Sequence, residues 1–320
     1  MAVVEGGGWA GLGWDGWRDL ALVRERLERG ADPHGWGAGR PLHRAAVSGS
    51  PEVVAELARR VDDVDAEEEG CTALWAAVLS DRADNARVLA AAGADPWRPM
   101  LAGWSPGRLS LAGPTPDLFR VPSGERGLTP AESAAATEGR RLTAALGDLD
   151  VDGTGLACVA GIDVAEAARR LGAEPYEDPE LETFVADPWS YDMDEFLPVI
   201  GATDVPGGCV LTQPWGYAPE MPGVLTLLSA GTVCYGLYAN PKSGNQGSIA
   251  RDGVMEGGDL HPGGGPDAED SAEEVLASYL YRHNAVAYSC AYVGLRPTDA
   301  RAVTGPPDIW LELPRRDYWN

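Results

Sequence analysis

Through the first hundred residues the apolar positions recur with helical spacing, giving runs over Asp19–Arg29, Glu52–Arg60 and Asn85–Ala92, each closed by a turn-forming segment. Beyond residue 128 the pattern changes. Thr129-Pro-Ala-Glu132 sets a capping threonine, a proline at the first helical position and a reciprocating glutamate before a helix that runs to about Leu146 and stops at Gly147. Asp163-Val-Ala-Glu166 repeats the device and predicts a helix over Ile162–Gly172. Ser271-Ala-Glu-Glu274 opens a third, which runs through Tyr281 and on the longer reading to Tyr288, with Val275, Leu276, Tyr279 and Leu280 as its apolar stripe. Between these helices, Gly155–Ala160, Leu181–Ala186, Gly208–Gln213, Gly223–Leu228, Thr232–Ala239 and Ser248–Glu256 are rich in Val, Leu, Thr and Tyr and bounded by Gly, Pro and Asn, which predicts strands. Val233, Tyr235 and Leu237 alternate with Cys234, Gly236 and Tyr238, a strand partly covered on both faces. Asp252-Gly253 reads as a two-residue hairpin turn, and Asp308–Leu313 as a last strand.

The early helices belong to a repeat. Arg40-Pro-Leu-His-Arg-Ala-Ala46 aligns with Thr72-Ala-Leu-Trp-Ala-Ala-Val78 at an offset of 32 residues, with Leu42 over Leu74 and Ala45 over Ala77. The turns Gly30-Ala-Asp-Pro33, Val61-Asp-Asp-Val64 and Gly93-Ala-Asp-Pro96 recur at steps of 31 and 32. Period, helix start and turn together resemble the ankyrin repeat over about residues 14–112. His43 stands at the family's histidine position, where the next unit carries Trp75, and Trp104-Ser-Pro106 opens a short third unit. The resemblance implies stacked helix pairs, with Ala45, Ala46, Ala76 and Ala77 allowing close approach, and protein binding through loop tips and first helices. So few units bury little area, so the array should dock on the rest of the chain.

Ser105–Gly127, rich in proline and glycine, reads as a connector. The expected fold class is therefore α+β multidomain: an N-terminal α-solenoid of ankyrin-like helix pairs over residues 1–113, a connector and bridging helix over 114–147, and over 148–320 an antiparallel sheet with packed helices, one laid on a face of the sheet. Residues 150–320 also resemble a β-rich actinobacterial domain of uncharacterised role, through Gly161–Ala173 and Gly208–Tyr217.

Composition narrows the function. Hydrophobic residues at 44% and charged residues at 23% exclude a disordered or fibrous chain. Forty-nine acidic against 25 basic residues give a formal charge of -24, which argues against nucleic acid and anionic membranes and for a basic protein partner. No apolar run is long enough to span a bilayer, and Met-Ala-Val-Val-Glu lacks a basic leader, so a cytoplasmic location is expected. Cys71, Cys158, Cys209, Cys234 and Cys290 are scattered and read as reduced thiols. Lys242 is the sole lysine beside many arginines, a usage typical of GC-rich, actinobacterial genomes.

Chemistry finds little foothold. Asp148, Asp150, Asp152 and Gly153 mimic the start of a calcium loop, but Val159 at position 12 cannot ligate, so an acidic turn leading into a sheet is preferred. Gly-rich Asn240–Gly247 either cradles an anion around Lys242 or simply joins two strands. Asp192, Asp194 and Glu195 suit acid–base work or a solvated face, and His283 with Cys234 or Cys290 is the nearest approach to a nucleophile–base pair. No catalytic motif and no cofactor site is read. The candidate partner-binding residues are Trp36, Arg40, Glu67, Glu68, Trp97 and Arg98 at the tips, with the loop aromatics Trp189, Tyr191, Trp215 and Tyr217, for which core packing is the competing reading. The leading expectation is a non-enzymatic protein-binding adaptor, in sharper form an immunity protein or inhibitor of a basic toxin. The alternative is an enzyme or small-ligand sensor sited in the C-terminal domain.

Overall fold

The computed structural model of the protein describes residues 8–35, 39–178, 181–186 and 196–319. Packing divides the chain into two units, Met1–Ala136 with Gly265–Leu280, and Thr137–Gly264 with Tyr281–Asn320. The division thus falls neither at residue 113 nor at 147, and the first unit takes back a segment from deep in the C-terminal half.

In the first unit, helices α1 (Leu20–Glu28), α2 (Pro41–Ser48), α3 (Pro51–Ala58), α4 (Ala73–Leu79) and α5 (Ala83–Ala91) pack in the order the repeat implies: α1 on α3, α2 on α4, α3 on α5. Polar side chains fix where α1, α3 and α4 start. Asp19, Ser50 and Thr72 each accept a hydrogen bond from a backbone N–H three residues on. The intervening turns are locked identically: Asp32 accepts from His34 N, Asp63 from Asp65 N and Asp95 from Trp97 N, at 2.8–2.9 Å. Small side chains then let the helices close up, and Ala45, Ala46, Ala73 and Ala77 are fully buried, whereas Ala76 is only half-buried.

Two buried polar groups tie the repeats together. Asn85 on α5 donates from Nδ2 to the carbonyls of Ala45, Ala46 and Gly49, at 3.0–3.2 Å. Glu56 is buried among Arg24, Arg59 and Arg60. Burial pushes its carboxyl pKa up, but hydrogen bonding and charge from the arginines outweigh that and hold it below the usual range. A hairpin of β1 (Glu67–Glu68) and β2 (Cys71–Thr72) forms one tip.

The predicted third unit is a single short helix, α6 (Pro106–Ser110), capped by Ser105. Its neighbour Trp104 is fully buried and donates from Nε1 to the carbonyl of Ala272 at 2.8 Å. Val275, Leu276 and Tyr279 join the same apolar core, so residues 272–280 close the end of the repeat stack. Helix α7 (Pro130–Leu146) starts with the predicted reciprocal cap between Thr129 and Glu132.

The second unit is built on an eight-stranded antiparallel sheet in the order β4-β10-β5-β6-β3-β7-β8-β9, whose members are β3 (Gly155–Ala160), β4 (Glu174–Pro175), β5 (Val199–Val205), β6 (Gly208–Gln213), β7 (Val233–Asn240), β8 (Gly244–Arg251), β9 (Val254–Leu260) and β10 (Ile309–Glu312). Its helices are α8 (Val164–Leu171), α9 (Leu181–Ala186), α10 (Pro222–Leu228), α12 (Ala285–Val293) and α13 (Arg301–Thr304), whereas α11 (Ala272–Tyr281) belongs to the first unit up to Leu280. Ala157 and Val159 of β3 pack in one cluster with α8 and α10. Cys158 points to the opposite face of the pleat, where its sulfur lies 3.8 Å from that of Cys290 on α12.

Helices therefore cover both faces, in keeping with the two-sided cover read for the strand around Tyr235 and beyond the single helix-covered face expected of the sheet. Two predicted strands are short helices instead: Leu181 and Phe184 on α9, and Val224, Leu225 and Leu228 on α10, bury themselves with helical spacing. The interior strand β5 was not foreseen, and the last long helix breaks at Arg282–Asn284 into α11 and α12. Asp252-Gly253 forms the hairpin turn as read.

Candidate functional site

The repeat turns bring the predicted tip residues into a ladder between neighbouring units. Arg40 donates its backbone N–H to the Glu68 carboxylate at 3.1 Å and its Nε to the Glu67 carbonyl at 3.0 Å. Glu67 in turn pairs with Arg98, which also donates to the Asp65 carbonyl at 3.3 Å. Trp97 is half-buried and lies against Gly107 of the next helix, where a Cβ would strike its ring. Across the tip, Asp62, Asp63, Asp65, Glu67, Glu68 and Glu69 outnumber the two guanidiniums of Arg40 and Arg98. Glu69 stands at the turn of the hairpin with φ 52, followed by Gly70 at φ 77, so a non-glycine residue holds a left-handed conformation and projects its carboxylate outward.

Beneath the ladder, His43 is buried and its Nε2 faces the Cys71 carbonyl at 2.9 Å. A carbonyl only accepts, so Nε2 carries the proton and Nδ1 is bare, 4.0 Å from the Glu68 carboxylate. Burial lowers the His43 pKa, with Glu68 and the bond to Cys71 opposing.

On the N-terminal side of the array an aromatic groove of about 360 Å³ is lined by Trp9, Leu12, Trp14, Trp17, Pro41 and Arg44. Trp9 stacks on Trp17 at 5.4 Å and donates from Nε1 to the Asp32 carbonyl, whereas Trp14 is 71% exposed. Arg44 on α2 is exposed, and its guanidinium makes no hydrogen bond or ion pair among the described residues. Trp14 and Arg44 were not among the candidate residues; the closely spaced Trp9, Trp14 and Trp17 are the sequence signal for the groove, and nothing in the sequence pointed to Arg44.

The remaining candidates separate. Trp36, Trp189 and Tyr191 lie outside the described residues, as do Asp192, Asp194 and Glu195. Trp215 is a core residue rather than a surface contact: it is 6% exposed, its ring meets Phe184 edge-on and stacks on Trp310, and its Nε1 donates to the Phe196 carbonyl at 3.0 Å. Tyr217 is 39% exposed beside Trp319.

Thiol chemistry has no support in the geometry. Cys234 and Cys290 are fully buried and His283 is exposed, while burial drives the Cys234 thiol pKa well above its ordinary value. His283 instead borders an open polar groove of about 450 Å³ with Asp148, Asp150, Asp152 and Asn284. Among the described residues no cluster of His, Cys, Asp or Glu has the arrangement to hold a metal ion. The acidic turn runs straight into β3, with Gly153 donating to the Ala239 carbonyl, and Lys242 sits in the hairpin joining β7 to β8, where Asn240 accepts its N–H.

Residues 17–100 match the family described as ankyrin repeats, three copies. No curated protein matches the chain. Ankyrin repeats are non-catalytic protein-binding modules, so protein binding is the role of this segment. No helix among the described residues is long and apolar enough to cross a membrane.

Proposed function

We propose that the protein is a cytoplasmic binding adaptor, whose ankyrin-type unit grips a basic protein with its carboxylate-rich tip and inner helices. The observation that carries this reading is the tip ladder: Arg40, Glu67, Glu68 and Arg98 brace each other, while the exposed Glu69 remains open to a cationic partner. Preorganised side chains lose little entropy on binding, and a chain of charge -24 speeds encounter with a cation. An inhibitor or immunity protein that blocks a basic toxin is the form of this role that best suits such a surface. Capture experiments at about 0.05 M and about 0.5 M salt test it, because exposed pairs are screened at the higher concentration. The reading expects a basic protein retained at low salt and released at high salt, and lost at both by Glu67→Lys/Glu69→Lys. Failure to retain any basic protein at low salt would end it.

The groove holding His283 and three aspartates is what favours the alternative, a small-ligand site in the second unit. That alternative gains if a small molecule raises the melting temperature of the wild type but not of His283→Ala, and it falls if the two respond alike.

A further inference from the structure

In the second unit, three large apolar side chains left open to solvent converge on one surface: Leu197 at 43% exposure, Tyr217 at 39% and Trp319 at 57%. Tyr217 and Trp319 touch with ring centroids 5.7 Å apart, and Tyr217 also meets Tyr238 edge-on. Leu197, Pro198, Met221, Pro314 and Trp319 wall a groove of about 440 Å³. Water gains nothing from such a surface, and a concentration of exposed aromatics in one place is how binding sites differ from ordinary surface.

The groove is held in shape before anything binds. Tyr318 is buried, and its carbonyl accepts the Gly223 N–H at 2.7 Å, close enough that a side chain on Gly223 would strike the Tyr318 backbone. The Asp317 carboxylate accepts the Trp319 N–H at 2.9 Å. Arg316 is committed to the fold, donating to the Leu171 carbonyl at 3.1 Å with its guanidinium over the Tyr318 ring. Arg315 is different. It borders the same groove, is exposed, and has no hydrogen bond or ion pair among the described residues. The charged lining of the groove is Arg315, Arg316 and Asp317, and with Arg316 and Asp317 engaged in the fold the unspent Arg315 beside an open aromatic wall favours a negatively charged occupant.

We infer that this groove docks an apolar segment of another protein flanked by carboxylates, with Trp319 and Leu197 taking the apolar anchor and Arg315 the acid beside it. The surface is separate from the ankyrin-type tip and of opposite charge preference, so either can fail without the other.

Isothermal titration of the full chain with a short synthetic peptide carrying Leu-Phe between glutamates, and with its lysine-flanked counterpart, tests the inference. The glutamate peptide should bind saturably at one site, at least about tenfold tighter than the lysine peptide. Trp319→Ala should weaken it by about tenfold or more, as truncating an aromatic anchor does. Arg315→Glu keeps every apolar contact and should invert the preference between the two peptides. No saturable binding, equal affinities for both peptides, or wild-type behaviour in both variants would overturn the inference. So would a dimer in sedimentation velocity that Trp319→Ala dissolves, since the groove would then belong to a second copy of the chain.

Discussion

Asn85 does more for the repeat stack than its size suggests, because one buried amide serves three carbonyls at the turn joining α2 to α3. Asn85→Ala leaves the Ala46 and Gly49 carbonyls without this donor, while Ala45 keeps the Gly49 N–H, and should cost roughly 2–4 kcal/mol, read as a lower urea midpoint at unchanged slope. His43 makes the same region pH-sensitive. Its folded pKa is lowered from 6.5, so the folded state binds the proton less readily than the unfolded chain does. The stabilisation is complete above about pH 6.5 and is lost as pH falls through the folded value. Urea midpoints between about pH 7.5 and about pH 5.5 should therefore fall more steeply for the wild type than for His43→Gln. Glu69 shows a residue set against its own backbone preference, at φ 52 in an exposed turn. Glu69→Gly should relieve the left-handed strain and stabilise the fold by roughly 0.5–1 kcal/mol while weakening partner capture, which would mark the strain as retained for binding. If capture is unchanged, that explanation of Glu69 fails.

At the scale of elements, the repeat stack is completed by a helix that lies more than 160 residues further along the chain, through the bond from Trp104 to Ala272. Trp104→Ala should cost about 3–5 kcal/mol, and Trp104→Phe about 1–2 kcal/mol for the lost bond alone, both measured by urea unfolding. Equal and negligible effects would show that residues 272–280 do not support the repeats. Nothing in the sequence announced this pairing: Val275, Leu276 and Tyr279 read as an apolar stripe, but a stripe does not say what it covers. Local chemistry was far more legible. The caps at Thr129, Asp163 and Ser271 and the recurrent aspartates 32, 63 and 95 act through neighbours within three residues, so their spacing alone carries the geometry. The segments α9 and α10 were misread because Val, Leu and Thr favour strands, although Pro222 at the start of α10 and the spacing of Val224, Leu225 and Leu228 already fitted a short helix. For β5 the flanking Pro198 and Pro206 and the internal Gly201 hid a strand that pairs on both sides with distant segments. Among the candidate residues, the repeat period alone places Arg40, Glu67, Glu68 and Arg98 at the tips, whereas the choice between surface and core for Trp215 needs the fold, which supplies its neighbours Phe184 and Trp310.

For the molecule as a whole, an excess of acid that is merely solvating would be spread without regard to the repeats, whereas here six carboxylates fall within residues 62–69 and are braced by two arginines from adjacent units. That concentration is why the ankyrin-type tip is taken as the place where a basic partner lands. Hydrogen–deuterium exchange of the protein alone and with its captured partner measures the landing site directly. Slowed exchange is predicted at the backbone of residues 67–72 and 97–98, with the helices α3 and α5 behind them unchanged. Protection confined to the second unit, with the hairpin at Glu69 exchanging as fast as in the free protein, would contradict the assignment of partner binding to the repeats.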